Sequence, residues 1–450
     1  MIGVWMLQDL TDRLLSAARD EGADEAEAIA VSATATGIEV RGGRLEHAER
    51  AEGVEIGLRV LIGGRQAIVS GADHSAETIA TMARRAVAMA RAAPVDDSLG
   101  LADPDRLAVQ RDAAGLELFD PSPEPDPATL EALAMQAEAA ALAIAGVRTV
   151  EAASASHMRR DSWIAASNGF QGGHLRSQHG LSCTAISGEG LGMERDHAGE
   201  GRIWASDMPS AEEIGQLAGE RAAARAGARK PPTGAFPILY DERIASGLIG
   251  HLLAAVNGTA IVRGASWLRD AMGMQILPDG ITLQENPHLP RMSASRLFDA
   301  EGLPTQPRDI VRDGVLQGWT LDLGCARKLG LESTASAVRG IGGPPSPGIT
   351  NVAMTEGSAS RDALIREMGR GLVVTSLLGA SINPTTGDYS RGAAGFWVEG
   401  GQISHPVNEC TIAGNLREML MRLTPANDAR AWRNIRVPSL LVEGMTVAGA

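Results

Sequence analysis

The sequence predicts an α+β fold: N-terminal helix and antiparallel-sheet modules, followed by a mostly-β, barrel- or sandwich-like C-terminal domain. Three observations predict it. Helical periodicity brackets a run of short alternating segments in residues 1–95. A Pro-rich connector then leads to a second stretch of helix, strands and helix. Beyond residue 270 the chain is rich in Gly and Pro, with short apolar runs between turns.

The elements follow in order. Leu7, Leu10, Leu14 and Ala18 recur at helical spacing, and Gly22 ends that run. Glu27–Ala33, Gly37–Arg41, Leu45–Glu49, Gly53–Leu61 and Gln66–Ser70 read as short strands, with Gly42-Gly43 and Gly63-Gly64 as hairpin turns. A helix after Ser75 carries Ile79, Met82, Ala86 and Met89 on one face. The connector, residues 96–127, ends in four prolines on alternate positions from Pro121 to Pro127, which favours an extended spacer. An Ala-rich helix runs from about Ala128 to Ala145, and strands resume at Arg148–Ser156. Ser210 and Glu213 form a capping box before another helix, which ends ahead of Lys230-Pro-Pro232. The predicted units are therefore 1–95, 96–127, 128–230 and 231–450. In the last unit Phe236–Tyr240 reads as a strand, and Asp241 caps a helix from Glu242 to about Val256. Arg361–Met368 and Leu416–Leu423 read as further helices. No repeat of solenoid length is visible.

Composition narrows the function. Of the 450 residues, 44% are hydrophobic and 21% charged, which suits globular domains with sizeable cores. The net charge of −14 argues against a duplex-binding surface, and 3% aromatic content against a stacking single-strand reader. The three cysteines are widely spaced, so no disulfide framework is expected and a reducing, cytoplasmic setting fits. Met1–Leu7 lacks a basic leader pattern. The longest apolar run, Ile244–Val256, is too short to span a bilayer.

The local signals of phosphate-loop, dinucleotide and serine-hydrolase sites are missing. His174 and His179 follow the Gly-rich segment Gly169–Gly173, but two histidines do not fill a tetrahedral metal site, and a strand–turn–strand with exposed histidines is the simpler reading. His251 sits on an apolar helix. One turn back stand Ser246, Gly247 and Leu248, none of them a strong ligand, and no Glu is placed as general base. In Gly387–Gly395, Asp388 and Arg391 are candidates to pair, and the glycines allow close backbone approach.

Several ordered segments resemble the TldD/PmbA family, on its PmbA (TldE) branch: Asp313–Trp319, Cys325–Leu331, Gly371–Thr375, and above all Gly387–Glu399 continuing to Pro406-Val-Asn and Thr411–Leu416. The resemblance covers nearly the whole chain. It implies a cytoplasmic peptidase of short or unfolded peptides. It also implies a heterodimer with a TldD-type paralogue that holds the divalent metal, expected to be zinc. In that family the metal subunit carries a His-Glu pair and a second His on one helix, and a later Cys. These positions fall here on Ser246, Gly247 and His251, and on a tail between about Arg430 and Pro438 that has no Cys. The resemblance therefore implies no catalytic and no metal-ligating residue in this chain, and a place for His251, Asp388, Tyr389 and Arg391 along the peptide path. Two readings compete with it: a stand-alone peptide-binding or chaperone-like module without proteolysis, and a homodimeric enzyme using Cys410 with His405.

Overall fold

The computed structural model describes residues 4–449, so the first three residues of the Met1–Leu7 stretch lie outside the described residues. The first module comprises α1 (Val4–Asp20), β1 (Glu25–Arg41), β2 (Arg44–Ile62), β3 (Arg65–Gly71) and α2 (Ala76–Ala92). The second repeats that order with α3 (Pro127–Leu142), β4 (Val147–Ala166), β5 (Gln171–Ser187), β6 (Glu194–Arg202) and α4 (Ala211–Ala224). The two modules share one antiparallel sheet of order β3-β2-β1-β4-β5-β6. β1 and β4 meet at its centre, and strand order is symmetric about them. This duplication lies in topology rather than in a short sequence period, which is why no repeat is visible in the sequence.

Both helix pairs cover the same face of the sheet. Leu7, Leu10, Leu14 and Ala18 pack with Ile79, Met82 and Ala86 onto Ala28, Ala30, Ile56, Leu58 and Val60. Met89, expected on that face, is exposed, and Ala83, Val87 and Ala90 complete it instead. In the second module Ala134, Ala137, Ala141, Ala218 and Ala222 lie over Ile38, Val40, Val150, Leu181 and Cys183. The small side chains let α3 and α4 approach closely. A Cβ at Gly215 would lie 2.0 Å from the Ala137 carbonyl oxygen.

The strands are longer than the sequence pattern predicts. Gly37 and Gly53 sit inside β1 and β2, paired with Glu49 and Ala33, because a cross-strand ladder holds glycine extended. Gly42-Gly43 and Gly63-Gly64 do form the turns, all four at positive φ. The connector differs from a free spacer. Leu101, Ala108, Leu116 and Leu118 are buried, and the Leu118 carbonyl accepts from Ser177 N–H. Hydrophobic residues pin it to the sheet, and exposed stretches such as Asp103–Asp105 and Pro121–Glu124 lie between the buried anchors.

The C-terminal part begins with β7 (Gly234–Tyr240), α5 (Glu242–Ala255) and α6 (Gly258–Val262). Short strands follow: β8 (Leu283–Glu285), β9 (Arg308–Arg312) and β10 (Val315–Leu316), then, beyond α7 (Leu323–Leu329), β11 (Ala337–Val338), β12 (Ser346–Pro347) and β13 (Val352–Met354). After α8 (Arg361–Met368) come β14 (Gly371–Ile382), β15 (Asp388–Glu399), β16 (Gln402–Asn415), α9 (Leu416–Met421), β17 (Leu423–Pro425), β18 (Ile435–Arg436) and β19 (Leu440–Ala448). A minor sheet has the order β10-β9-β8-β13-β18, and β11 pairs with β12. The main sheet closes: β16-β15-β14-β7-β19 returns from β19 to β16, a five-stranded barrel with β17 alongside β19. The β7–β14 pair is parallel and its other neighbouring pairs are antiparallel. The fold is therefore α+β with a barrel-bearing C-terminal domain.

Candidate functional site

The site begins where β7 feeds α5. Ile238, Leu239 and Tyr240 are fully buried in the barrel wall. Asp241 then caps the helix by accepting from Arg243 N–H. Leu248, Ile249, Leu252 and Leu253 turn one side of α5 into the core. The opposite side carries Ser246, Gly247, Gly250 and His251. A Cβ at Gly247 or Gly250 would meet nothing within 4 Å, so this face is open.

Ion pairs fix the start of α5. Asp241 binds Arg243 at 3.2 Å and Arg361 at 3.1 Å. Arg243 reaches Asp196 on β6 at 3.1 Å, and Arg225 approaches the same carboxylate at 3.7 Å. Arg430 joins Glu242 at 2.7 Å to Glu200 at 3.0 Å. The middle module is thereby tied to the helix that presents His251. Nothing in the spacing of these residues signals the network.

The His251 ring stands edge-on to Tyr389, with centroids 5.8 Å apart. Burial lowers the His251 pKa, and the positive charge of Arg391 lowers it further, so the imidazole is neutral near pH 7. Tyr389 is hydrogen-bonded to Tyr240, and burial raises both phenols above their ordinary value. The Tyr240 hydroxyl also lies 3.5 Å from the Met445 sulfur. The Arg391 Nε and Thr375 Oγ1 atoms are buried with no hydrogen-bond partner among the described residues. The result is a neutral imidazole, un-ionised phenols and a guanidinium with an unused N–H. Such a set can donate hydrogen bonds to a carboxylate or a peptide carbonyl.

Of the four residues singled out in the sequence, His251, Tyr389 and Arg391 come together. Asp388 does not. Successive side chains alternate across a strand, so residues 388 and 391 face opposite sides of β15. Asp388 instead accepts from Thr386 Oγ1 at 2.6 Å and Asn415 Nδ2 at 3.1 Å, bonds that lower its pKa. Tyr240 escaped sequence reading because its strand, β7, lies far from β15 in the chain, whereas Thr375 lies within the segment Gly371–Thr375 but was not singled out there.

The residues around α5 do not fit a metal ion. His251 is the single strong ligand on the open face, and Arg391 beside it repels a cation. Among the described residues no three His, Cys, Asp or Glu side chains are grouped to hold one. His174 and His179 are both partly buried rather than exposed. His174 stacks on Phe298 at 4.5 Å, whereas His179 meets Asp120 at 3.5 Å and the His157 ring at 4.8 Å. Cys410 makes a poor nucleophile. It is buried, its thiol donates to the Ala393 carbonyl at 3.2 Å, and burial pushes its pKa up to about 11. His405 is engaged with Ser404.

Known proteins share this architecture. Three family models match in order: PmbA/TldA metallopeptidase domain 1 at residues 26–90, the central domain at 120–228 and the C-terminal domain at 233–449. Metalloprotease PmbA of Escherichia coli O157:H7 is 38% identical over 439 residues, covering 97% of this chain and 94% of that protein. A Bacteroides thetaiotaomicron crystal structure, described as a candidate modulator of DNA gyrase, superposes with a TM-score of 0.90. It is 28% identical, and all of both chains is covered. TldE from Thermococcus kodakarensis, at 21% identity, shares the fold with a TM-score of 0.84 over 97% of this chain and 99% of that one. With three domain models spanning most of its length and a relative at 38% identity, this chain belongs to the PmbA/TldD metallopeptidase family.

Proposed function

We propose that this chain is the PmbA/TldE-like, non-metal subunit of a cytoplasmic peptidase that cleaves short or unfolded peptides with a TldD-type partner. The observation that supports the reading is the open face of α5: a Cβ at Gly247 or Gly250 would meet nothing within 4 Å, and burial beside Arg391 keeps His251 neutral. By the family resemblance, Ser246 and Gly247 fall on the positions of a metal subunit's ligand and base. The chain then walls the chamber and helps to hold an extended peptide, with Tyr389 and Arg391 along its path and Asp388 shaping the turn at its edge. Extended backbones are held mainly by main-chain hydrogen bonds to exposed strand edges, with side chains adding selectivity. The metal that the family's activity requires, expected to be zinc, resides in the partner.

Peptide hydrolysis by the chain alone, by a TldD-type partner alone and by the mixture tests this reading. Activity confined to, or greatly raised in, the mixture is expected. Equal activity with and without this chain overturns it. Peptide capture by this chain without any effect on a partner's hydrolysis would instead favour the stand-alone binding module.

A further inference from the structure

A guanidinium enclosed by protein is costly unless a carboxylate or carbonyl meets it. Other enclosed arginines of this chain meet that condition. Arg59 pairs with the buried Glu27, and Arg308 reaches Glu285 at 2.8 Å. Arg202, Arg296, Arg339 and Arg361 each leave a buried N–H unused, yet each is engaged through another contact: with Glu200 at 2.7 Å, the Gly348 carbonyl at 3.2 Å, Glu27 at 3.5 Å and Asp241 at 3.1 Å. Arg391 differs. Its Nε is buried without a hydrogen-bond partner, and the side chain makes no ion pair among the described residues. The acidic side chains of adjoining segments are taken. Asp388 faces the other side of β15 and accepts from Thr386 and Asn415, Asp241 binds Arg243 and Arg361, and Glu399 binds Arg370 at 3.5 Å and accepts from Trp397 Nε1 at 3.0 Å.

The surroundings of the guanidinium point to what completes it. Tyr389 stands two residues before it on the same face of β15, and the His251 ring lies across from Tyr389 at 5.8 Å. Both are uncharged near pH 7, His251 as a neutral imidazole and Tyr389 as an un-ionised phenol. The phenol donates its O–H and the imidazole one N–H. Hydrogen-bond donors and one positive charge meet here, with no negative charge to answer them. The place is open to a ligand. Arg391 and His251 are half-buried, and Gly247 on the same face of α5 is exposed. Opposite Arg391 the β14–β15 ladder breaks, its pairing passing from Leu378–Gly392 to Ser381–Ser390, and a Cβ at Gly379 would meet nothing within 4 Å.

A peptide carbonyl accepts such hydrogen bonds but leaves the charge uncompensated. A carboxylate does both, and charge-assisted bonds to a guanidinium are the stronger ones. We infer that Arg391 is a specificity residue: it binds a carboxylate of the peptide, with Tyr389 and His251 as uncharged donors beside it. This inference rests on the proposed peptidase reading. It narrows the substrate class to short peptides that bring a negative charge to this point, at the C-terminus or on an Asp or Glu side chain.

Hydrolysis by the complex with a TldD-type partner tests it, using N-acetylated alanine peptides as the free acid, as the C-terminal amide, and as amides carrying one Glu or one Gln. The complex is expected to favour a carboxylate-bearing peptide over its uncharged counterpart by about tenfold or more in kcat/KM, chiefly through KM. A preference for acid over amide assigns the C-terminal carboxylate, and one for Glu over Gln the side chain. In Arg391→Gln the preference is expected to collapse, whereas Arg391→Lys, which keeps the charge, is expected to retain part of it. A second measurement needs neither partner nor hydrolysis. The carboxylate-bearing peptide, added to the isolated chain, is expected to raise the His251 pKa in a proton titration followed by NMR, because a negative charge then lies beside the imidazole. The uncharged peptide is expected to leave it in place. Equal hydrolysis of charged and uncharged peptides by a complex whose activity depends on this chain overturns the inference, as does a preference that survives in Arg391→Gln. If hydrolysis does not depend on this chain, the peptidase reading fails by itself and the titration decides: an unmoved His251 pKa then overturns the carboxylate site as well.

Discussion

Arg391 shares a face of β15 with Tyr389, Tyr389 lies against His251, and the Arg391 charge lowers the pKa of both His251 and Tyr389, alongside the effect of burial at His251 and against it at Tyr389. Removing the guanidinium by Arg391→Met raises the His251 pKa, because a like charge has gone. The value stays below the ordinary 6.5 or so, because burial is the larger cause. A histidine proton titration followed by NMR reads this directly, and an unchanged value refutes the coupling. His174 has a different consequence. Burial pushes its pKa down to about 3, with Arg176 and Arg296 adding to the effect. An unfolded histidine near 6.5 binds a proton that the folded one refuses, so this contribution is harmless above the unfolded value. Below it, stability falls as pH falls. The slope is about 1.4 kcal/mol per pH unit between roughly 6.5 and the folded value. Urea unfolding at pH 7, 6 and 5 is expected to show that decline, and His174→Leu is expected to flatten it. The sequence made His251 legible because a helix register states what stands one turn away. It did not reveal that Asp388 and Arg391 part company, since that depends on the two-residue period of a strand whose extent was not yet known.

Among the elements, helices were read more closely than strands. Asp241, Ser210 and Ser360 each cap the helix they precede, and the Arg361–Met368 and Glu242–Ala255 helices start where capping chemistry places them. The short α7, Leu323–Leu329, escapes notice because a helix of so few residues shows little periodicity. Strands were cut too short at Gly37 and Gly53, where ladder pairing overrides a local breaker. The hairpin they belong to depends on a contact with no local signal. Glu138 is 2% exposed and binds two turn N–H groups. Glu138→Ala is therefore expected to cost about 2–3 kcal/mol in chemical unfolding, as lost charge-assisted bonds at a buried carboxylate do. A loss below about 0.5 kcal/mol would show that the turn is held by β1 and β2 alone.

At the scale of the molecule, the legible part was the class: modules of helix and antiparallel sheet ahead of a β-rich domain. Two features were not legible. The modules merge into one sheet, because β1 and β4 pair across more than a hundred residues of chain. The barrel closes through β7 against β14 and through a short β16–β19 pairing, both between strands distant in sequence. Such pairings are decided by which apolar faces remain to be covered, not by any local pattern. The same closure places α5 beside β14 and β15, and so turns a helix with His251 as the single strong ligand on its open face into one wall of a candidate peptide site. Metal analysis of this chain, alone and in complex with a TldD-type partner, tests that account most directly. The account predicts no retained zinc in the isolated chain and one metal per heterodimer, undiminished by His251→Ala in this chain. Stoichiometric zinc in the isolated chain, lost together with peptide hydrolysis in His251→Ala, would contradict it.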